Sequence, residues 1–210
     1  MNEETLSSGF FGEDITLDIY TDLKEFYTPA NGFSRLHLCR RYGKLHILKS
    51  LQPFYSSQEF YKQLLLKEFN IGYQLDHPNI RHTLGWEKND LLGNYIVLEY
   101  IDGIPLTTFI EQGKLTQALA YKFITEICNA LQYIHSKQLI HKDLKPNNIL
   151  ITHNGNNVKL IDFGLADCDD YEILKIPAGT EKYLAPEQLN PNATLDCRTD
   201  IYSLGIIIEE

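Results

Sequence analysis

The stretch His141-Lys142-Asp143-Leu144-Lys145-Pro146-Asn147-Asn148-Ile149-Leu150 crowds imidazole, ammonium, carboxylate and carboxamide groups between two apolar flanks, Leu139-Ile140 and Ile149-Leu150-Ile151. Polar groups held between core-forming segments belong on a short loop anchored at both ends, where reactive side chains are commonly displayed. Pro146 keeps this loop out of helix, because it lacks an N–H and restricts Lys145 before it. Asp143 has the chemistry of a base, Lys145 that of a counter-charge, and Asn148 that of an oxygen ligand for a hard cation. A polar surface turn between two strands would have a similar composition, so the surrounding sequence has to decide.

Upstream, short β-type runs from Tyr27 to Lys49 alternate with the turn residues Pro29-Ala30-Asn31-Gly32 and Tyr42-Gly43-Lys44. This predicts antiparallel strands joined by hairpins. Strand alternation puts Leu45, Ile47 and Lys49 on one face. A lysine on an apolar face either snorkels to water or meets an acid. Ser56-Ser57-Gln58-Glu59 has capping-box form and predicts a helix start. In that helix Phe60, Leu64, Ile71 and Leu75 share one arc at 3.6-residue periodicity, and Glu68 falls inside it. An inward carboxylate is costly unless a cation meets it, and Lys49 is the obvious partner.

Downstream of that helix, Asn94-Tyr95-Ile96-Val97-Leu98 is a buried-strand run that leaves through Glu99-Tyr100-Ile101-Asp102-Gly103 toward a turn. From Thr116, the stripe Leu119, Phe123, Ile127, Leu131 and Ile134 predicts a core helix leading into the polar loop. Beyond the loop, Asn154-Gly155 predicts a hairpin between Ile149-Leu150-Ile151 and Val158-Lys159-Leu160-Ile161. Its second strand delivers Asp162-Phe163-Gly164.

The 210 residues suffice for one large domain or two lobes around a cleft, and 43% hydrophobic content provides a proper core. A net charge of −9 argues against a nucleic-acid partner, which calls for clustered basic residues. A nucleotide remains compatible with acidity, since one lysine, backbone N–H groups and magnesium can hold its phosphates. Cys39, Cys128, Cys168 and Cys197 are scattered without metal-ligand spacing and read as free thiols of a reducing compartment. No secretory signal and no membrane-length apolar run is visible, so a cytoplasmic location is expected. The end, Leu204 to Glu210, stops inside what reads as a buried helix, which suggests a cut chain.

His141 to Asn148 resembles the catalytic loop of the eukaryotic-type protein kinases, and Lys145-Pro146 is the serine/threonine form of it. Lys49, Glu68, His77-Pro78-Asn79-Ile80, Asp162-Phe163-Gly164, Gly179-Thr180-Glu181-Lys182-Tyr183-Leu184-Ala185-Pro186-Glu187 and Asp200-Ile201-Tyr202-Ser203-Leu204-Gly205 follow in kinase order over residues 27–210. The resemblance implies an α+β, two-lobed fold. Residues 1–26 would be a lead-in, 27–98 an N-lobe of antiparallel sheet plus one helix, and 99–210 a mainly helical, incomplete C-lobe. It implies transfer of the γ-phosphoryl group of ATP, with Mg2+, to Ser or Thr of a protein substrate. By the same resemblance Lys49 would hold the α/β-phosphates and Glu68 would hold Lys49. Asn148 and Asp162 would bind magnesium, Asp143 would accept the acceptor's proton, and Lys145 would neutralise the moving phosphoryl. Thr180 would align the acceptor side. Leu36, Ile47 and Leu150 would sandwich adenine, Leu98 would be the gatekeeper, and Glu99 and Ile101 would supply backbone contacts.

Several positions depart from the family pattern. The phosphate loop falls on Pro29-Ala30-Asn31-Gly32-Phe33-Ser34 and has none of the three expected glycines, although Gly32 sits near its tip. Ile47 replaces an alanine above adenine, and Gly72 replaces an apolar side chain one turn after Glu68. Lys142 replaces the arginine before the catalytic aspartate, and no Ser or Thr lies between Leu165 and Ala178, so activity independent of phosphorylation there is expected. Glu187 would lack an arginine partner lying beyond Glu210, and Ile206, Ile207 and Ile208 would lose packing. A pseudokinase and a small-molecule phosphotransferase of related fold are the alternatives. The first is opposed by the presence of Lys49, Glu68, Asp143, Asn148 and Asp162, the second by Lys145-Pro146 and Ala185-Pro186-Glu187.

Overall fold

The computed structural model describes residues 20–28, 32–166, 181–190 and 192–210. The alternating N-terminal runs fold as the meander β1 (Thr21–Tyr27), β2 (Ser34–Arg41) and β3 (Lys44–Leu51). Tyr42 and Gly43 both have positive φ, 49° and 77°, the backbone of a two-residue hairpin whose twist matches its strands. With β4 (Thr83–Asn89) and β5 (Gly93–Glu99) they form one antiparallel sheet in the order β1-β2-β3-β5-β4. Strand β1 extends the sheet into the stretch expected to be lead-in. Just ahead of it, the Tyr20 hydroxyl donates to Glu87 at 2.7 Å, and Arg41 meets the same carboxylate at 2.8 Å.

Helix α1 (Glu59–Tyr73) lies on this sheet with Leu64, Leu65, Glu68 and Ile71 buried. The expected capping box does not form. The Ser56 hydroxyl donates to Pro53 O at 2.7 Å in a 3-10 turn over Pro53–Tyr55, and Gln58 becomes the N-cap with no side-chain bond. A hydroxyl bonded backward is lost to the helix ahead of it.

The lower part consists of β6 (Gly103–Pro105), α2 (Leu106–Glu111), α3 (Gln117–Ser136), β7 (Ile149–Thr152), β8 (Val158–Leu160) and α4 (Arg198–Ile208). Thr116 caps α3 by accepting Leu119 N–H at 3.3 Å. Ile127, Leu131, Ile134, Ile149, Ile151 and Leu160 of α3, β7 and β8 are at most 1% exposed. Each such side chain contributes about 1.5–3 kcal/mol by burial. Ile207 of α4 joins this core, contrary to expectation, while Ile208 stays half exposed. The turn between β7 and β8 is longer than a two-residue hairpin: Thr152 N–H donates to Asn157 O at 3.0 Å, with Gly155 and Asn156 at positive φ. Among the described residues no helix is long and apolar enough to cross a membrane.

The connection from α1 to β4 is sewn to β8. Leu160 N–H donates to Asn79 O at 2.7 Å, the Asn79 carboxamide donates to Val158 O at 2.9 Å, and Ile80 pairs with Leu160 in a parallel bridge. The sheet and the helical part therefore meet at the strand that leads to Asp162.

Candidate active site

Strand β3 carries Lys49 inward and α1 brings Glu68 to it. Lys49 Nζ lies 2.7 Å from Glu68 Oε1 and 3.1 Å from Asp162 Oδ1, with Lys49 and Glu68 each 5% exposed. Burial works against the Lys49 charge, but the Asp162 and Glu68 carboxylates outweigh it and hold its pKa above the ordinary lysine value. Burial pushes the Glu68 carboxyl up, opposed by Lys49. For Asp162, burial is overcome by Lys49, which holds the carboxyl well below the usual range. Asp162 has φ 66°, a conformation aspartate adopts more readily than most residues, and its Oδ1 also accepts Gly164 N–H at 3.2 Å.

The polar loop is a 3-10 turn over Pro146–Asn148, closed by Asn148 N–H donating to Lys145 O at 2.9 Å. Lys145 Nζ contacts both Asp143 oxygens, at 2.9 and 2.8 Å. Asn148 Nδ2 donates to Asp143 O and to Asp143 Oδ2, both at 2.8 Å. Burial raises the Asp143 carboxyl pKa above the ordinary aspartate value, and Lys145 partly offsets it. From α4, the fully buried Asp200 accepts the N–H of Lys142 on Oδ1 and that of His141 on Oδ2, each at 2.9 Å, and His135 Nε2 lies 2.7 Å from Oδ2. Lys142 sits at φ 63°, and Gln188 Nε2 donates to its carbonyl at 2.9 Å. Such a backbone persists only where its surroundings over-determine it.

Ile47 is buried in one cluster with Leu98, and Leu36 packs against that cluster. Leu150 is half-buried on β7, on the opposite face from Ile149 and Ile151. Glu99 donates its N–H to His82 O at 3.0 Å, and Ile101 follows in the connection to β6. The Gly32 carbonyl accepts Gln52 Nε2 at 2.7 Å, and Gln52 N–H donates to Phe33 O at 2.8 Å. Thr180 and the segment from Asp167 lie outside the described residues. Glu187 Oε1 accepts the Thr199 hydroxyl at 3.0 Å. Gln188 and Gln52 escaped sequence reasoning, because each acts through the backbone of a distant residue. Asp200 was marked only as the head of the run 200–205, and its hold on the loop backbone was not legible.

Among the described residues no group of three His, Cys, Asp or Glu side chains is set to hold a metal ion. The available set is Asn148 and Asp162. Because the Asn148 amide nitrogen is bound to Asp143, its carbonyl oxygen is turned to other partners. Two such oxygens suit magnesium, which keeps waters and takes its other ligands from substrate phosphates. The residues present fit that ion.

A family model described as the protein kinase domain matches residues 32–210. A probable serine/threonine-protein kinase of Clostridium perfringens is 35% identical over 176 residues, covering 82% of this chain and 25% of the relative. The serine/threonine-protein kinase ppk25 of Schizosaccharomyces pombe is 34% identical over 168 residues, 79% of this chain and 39% of the relative. The calcium-dependent protein kinase 5 of Plasmodium falciparum is 40% identical over 149 residues, 69% of this chain and 26% of the relative. The chain thus spans between a quarter and two fifths of the length of these curated relatives.

Proposed function

The chain belongs to the protein kinase domain family, and from that premise we propose that it transfers the γ-phosphoryl group of ATP to serine or threonine hydroxyls of protein substrates. The observation that carries this reading is Lys49 bridging Glu68 and Asp162 at 2.7 and 3.1 Å beside the Asp143–Lys145–Asn148 cluster. Phosphoryl transfer asks a protein for positioning and charge neutralisation more than for covalent chemistry. Lys49, fixed by Glu68, binds phosphate oxygens. Asn148 and Asp162 hold magnesium, which supplies neutralisation of the phosphate charge. The acceptor oxygen bonds to the γ-phosphorus as the bond to the β–γ bridging oxygen breaks. ADP leaves with that electron pair, and the proton goes to a carboxylate oxygen of Asp143. Lys145, in contact with that carboxylate, offsets negative charge on the transferring group. Leu36, Ile47 and Leu150 bound the adenine, Glu99 and Ile101 offer it backbone groups, and Thr180 aligns the acceptor.

The test is phosphate incorporation into Ser- and Thr-containing peptides with Mg2+ and ATP. Asp143→Ala is expected to retain nucleotide binding and to lose about 10²–10⁴ in rate, the scale of a positioned base. Turnover of the variant equal to wild type would remove this reading.

A further inference from the structure

The rings of Phe33 and Tyr61 lie 5.5 Å apart at an interplanar angle of 38°, and they join two parts of the chain that the site needs in register. Phe33 follows Gly32 at the end of the turn between β1 and β2. Tyr61 stands in the first turn of α1. Tyr61 and Glu68 are two helical turns apart, so their side chains leave α1 on nearly the same face, about 10 Å apart along the axis. One face of one helix therefore meets both the turn, through Phe33, and Lys49, through Glu68.

The Phe33 contact is one link in a closed circuit. Gln52 N–H donates to Phe33 O at 2.8 Å, and Gln52 Nε2 donates to Gly32 O at 2.7 Å. Tyr55 N–H donates to Gln52 O at 2.9 Å, closing the 3-10 turn over Pro53–Tyr55. That turn sets the Tyr55 ring 4.5 Å from the Tyr61 ring, and Tyr61 leads back to Phe33. Phe33 and Tyr61 also pack against the same buried cluster, which includes Leu51 and Leu65. Phe33 is thus held from two sides, by Gln52 on its backbone and by Tyr61 on its ring.

We propose that Tyr61 is a positioning residue for the nucleotide. Its ring holds Phe33, and with it the turn, in a place set by α1, so the helix position that pairs Glu68 with Lys49 also seats the turn over the phosphates. The inference rests on the phosphotransfer role given above. Apparent affinity scales with the fraction of molecules whose site already has the binding shape. An aromatic pair shifts such a balance by about 2-fold to 10-fold. The ring carries the effect, and the Tyr61 hydroxyl does not enter.

The test is Mg2+-dependent ADP binding by calorimetry on the full chain, in a double-mutant cycle of Tyr61→Leu and Phe33→Leu, with thermal unfolding of each variant alongside. Leucine keeps apolar bulk at both positions and removes the ring. Tyr61→Leu is expected to weaken ADP binding by about 2-fold to 10-fold. Tyr61→Phe is expected to bind as wild type does. The double variant is expected to bind no more weakly than Phe33→Leu alone, because both substitutions break one contact. Wild-type affinity in Tyr61→Leu, whatever its Tm, leaves Tyr61 as packing and overturns the proposal. Additive losses overturn it too, since Tyr61 would then reach the nucleotide by a route other than Phe33. A Tyr61→Phe variant as weak as Tyr61→Leu does the same, by moving the effect to the hydroxyl. If Tyr61→Leu fails to fold, Tyr61→Met takes its place in the cycle. A wild-type protein that binds no ADP refutes the phosphotransfer role and takes this proposal with it, whereas ADP binding indifferent to Tyr61 refutes the proposal alone.

Discussion

The Asp200 carboxylate accepts the backbone N–H of Lys142 at 2.9 Å across 58 residues of sequence. With the His141 N–H on its other oxygen, this contact fixes the start of the polar loop from a helix in the core. Asp200→Ala leaves two buried N–H groups without acceptors, at about 1–3 kcal/mol each. Thermal unfolding should show a Tm lower by roughly 5–20 °C, from about 2–4 °C per kcal/mol at this size. A Tm within 2 °C or so of wild type would show that the loop holds its shape without Asp200.

Asp143 must be ionised to take a proton, so activity should fall as pH drops through its pKa. Burial places that acid limb above the range of an ordinary aspartate. Lys145 stabilises the ionised form, so Lys145→Met should move the limb of kcat/KM to higher pH as well as lowering the rate. A limb that stays put, or moves to lower pH, contradicts the contact seen at 2.8 Å.

Gln52 holds two consecutive carbonyls of the turn between β1 and β2, that of Gly32 through its side chain and that of Phe33 through its backbone. The Phe33 ring also lies 5.5 Å from that of Tyr61 on α1. A turn poor in glycine is thus held by bonds from outside. Gln52→Leu should raise KM for ATP about fivefold, equivalent to one lost hydrogen bond of ~1 kcal/mol, with kcat little changed. Unchanged KM would mean the turn is set by other contacts.

Any side chain at position 72 runs into Thr83 Oγ1. Gly72→Ala should therefore destabilise by about 1–3 kcal/mol, the usual cost of overpacking, despite the better helix propensity of alanine. Adding Thr83→Ala should recover most of the loss in denaturant unfolding. Equal destabilisation in single and double variants would locate the strain elsewhere.

The inward pair Lys49–Glu68 was legible because period-2 and period-3.6 patterns each put a charged residue on a buried face, and the two charges are opposite. The helix start was misplaced by two residues, since Ser56 can bond backward or forward and sequence does not say which. Strand β1 was missed for another reason. Its residues are almost all exposed, with only Leu23 partly buried, so it lacks the alternation that marks a half-buried strand. Asp200 is a charged side chain whose partners lie 58 to 65 residues away, and no periodicity encodes that. Gly72 stood out as an oddity from the start, but its meaning needed Thr83 beside it.

The stitching of Asn79, Ile80 and Arg81 to β8 makes a fulcrum. Helix α1 runs about 21 Å from Glu59 to Tyr73 at 1.5 Å per residue, and its C-terminal end is tied, through that connection, to the helical part below. Glu68 stands only about 7.5 Å from that end on the same rise. Were the helix to pivot about the tethered end, Glu68 would travel roughly a third as far as Glu59, so a displacement at the far tip would reach the lysine contact as a much smaller one.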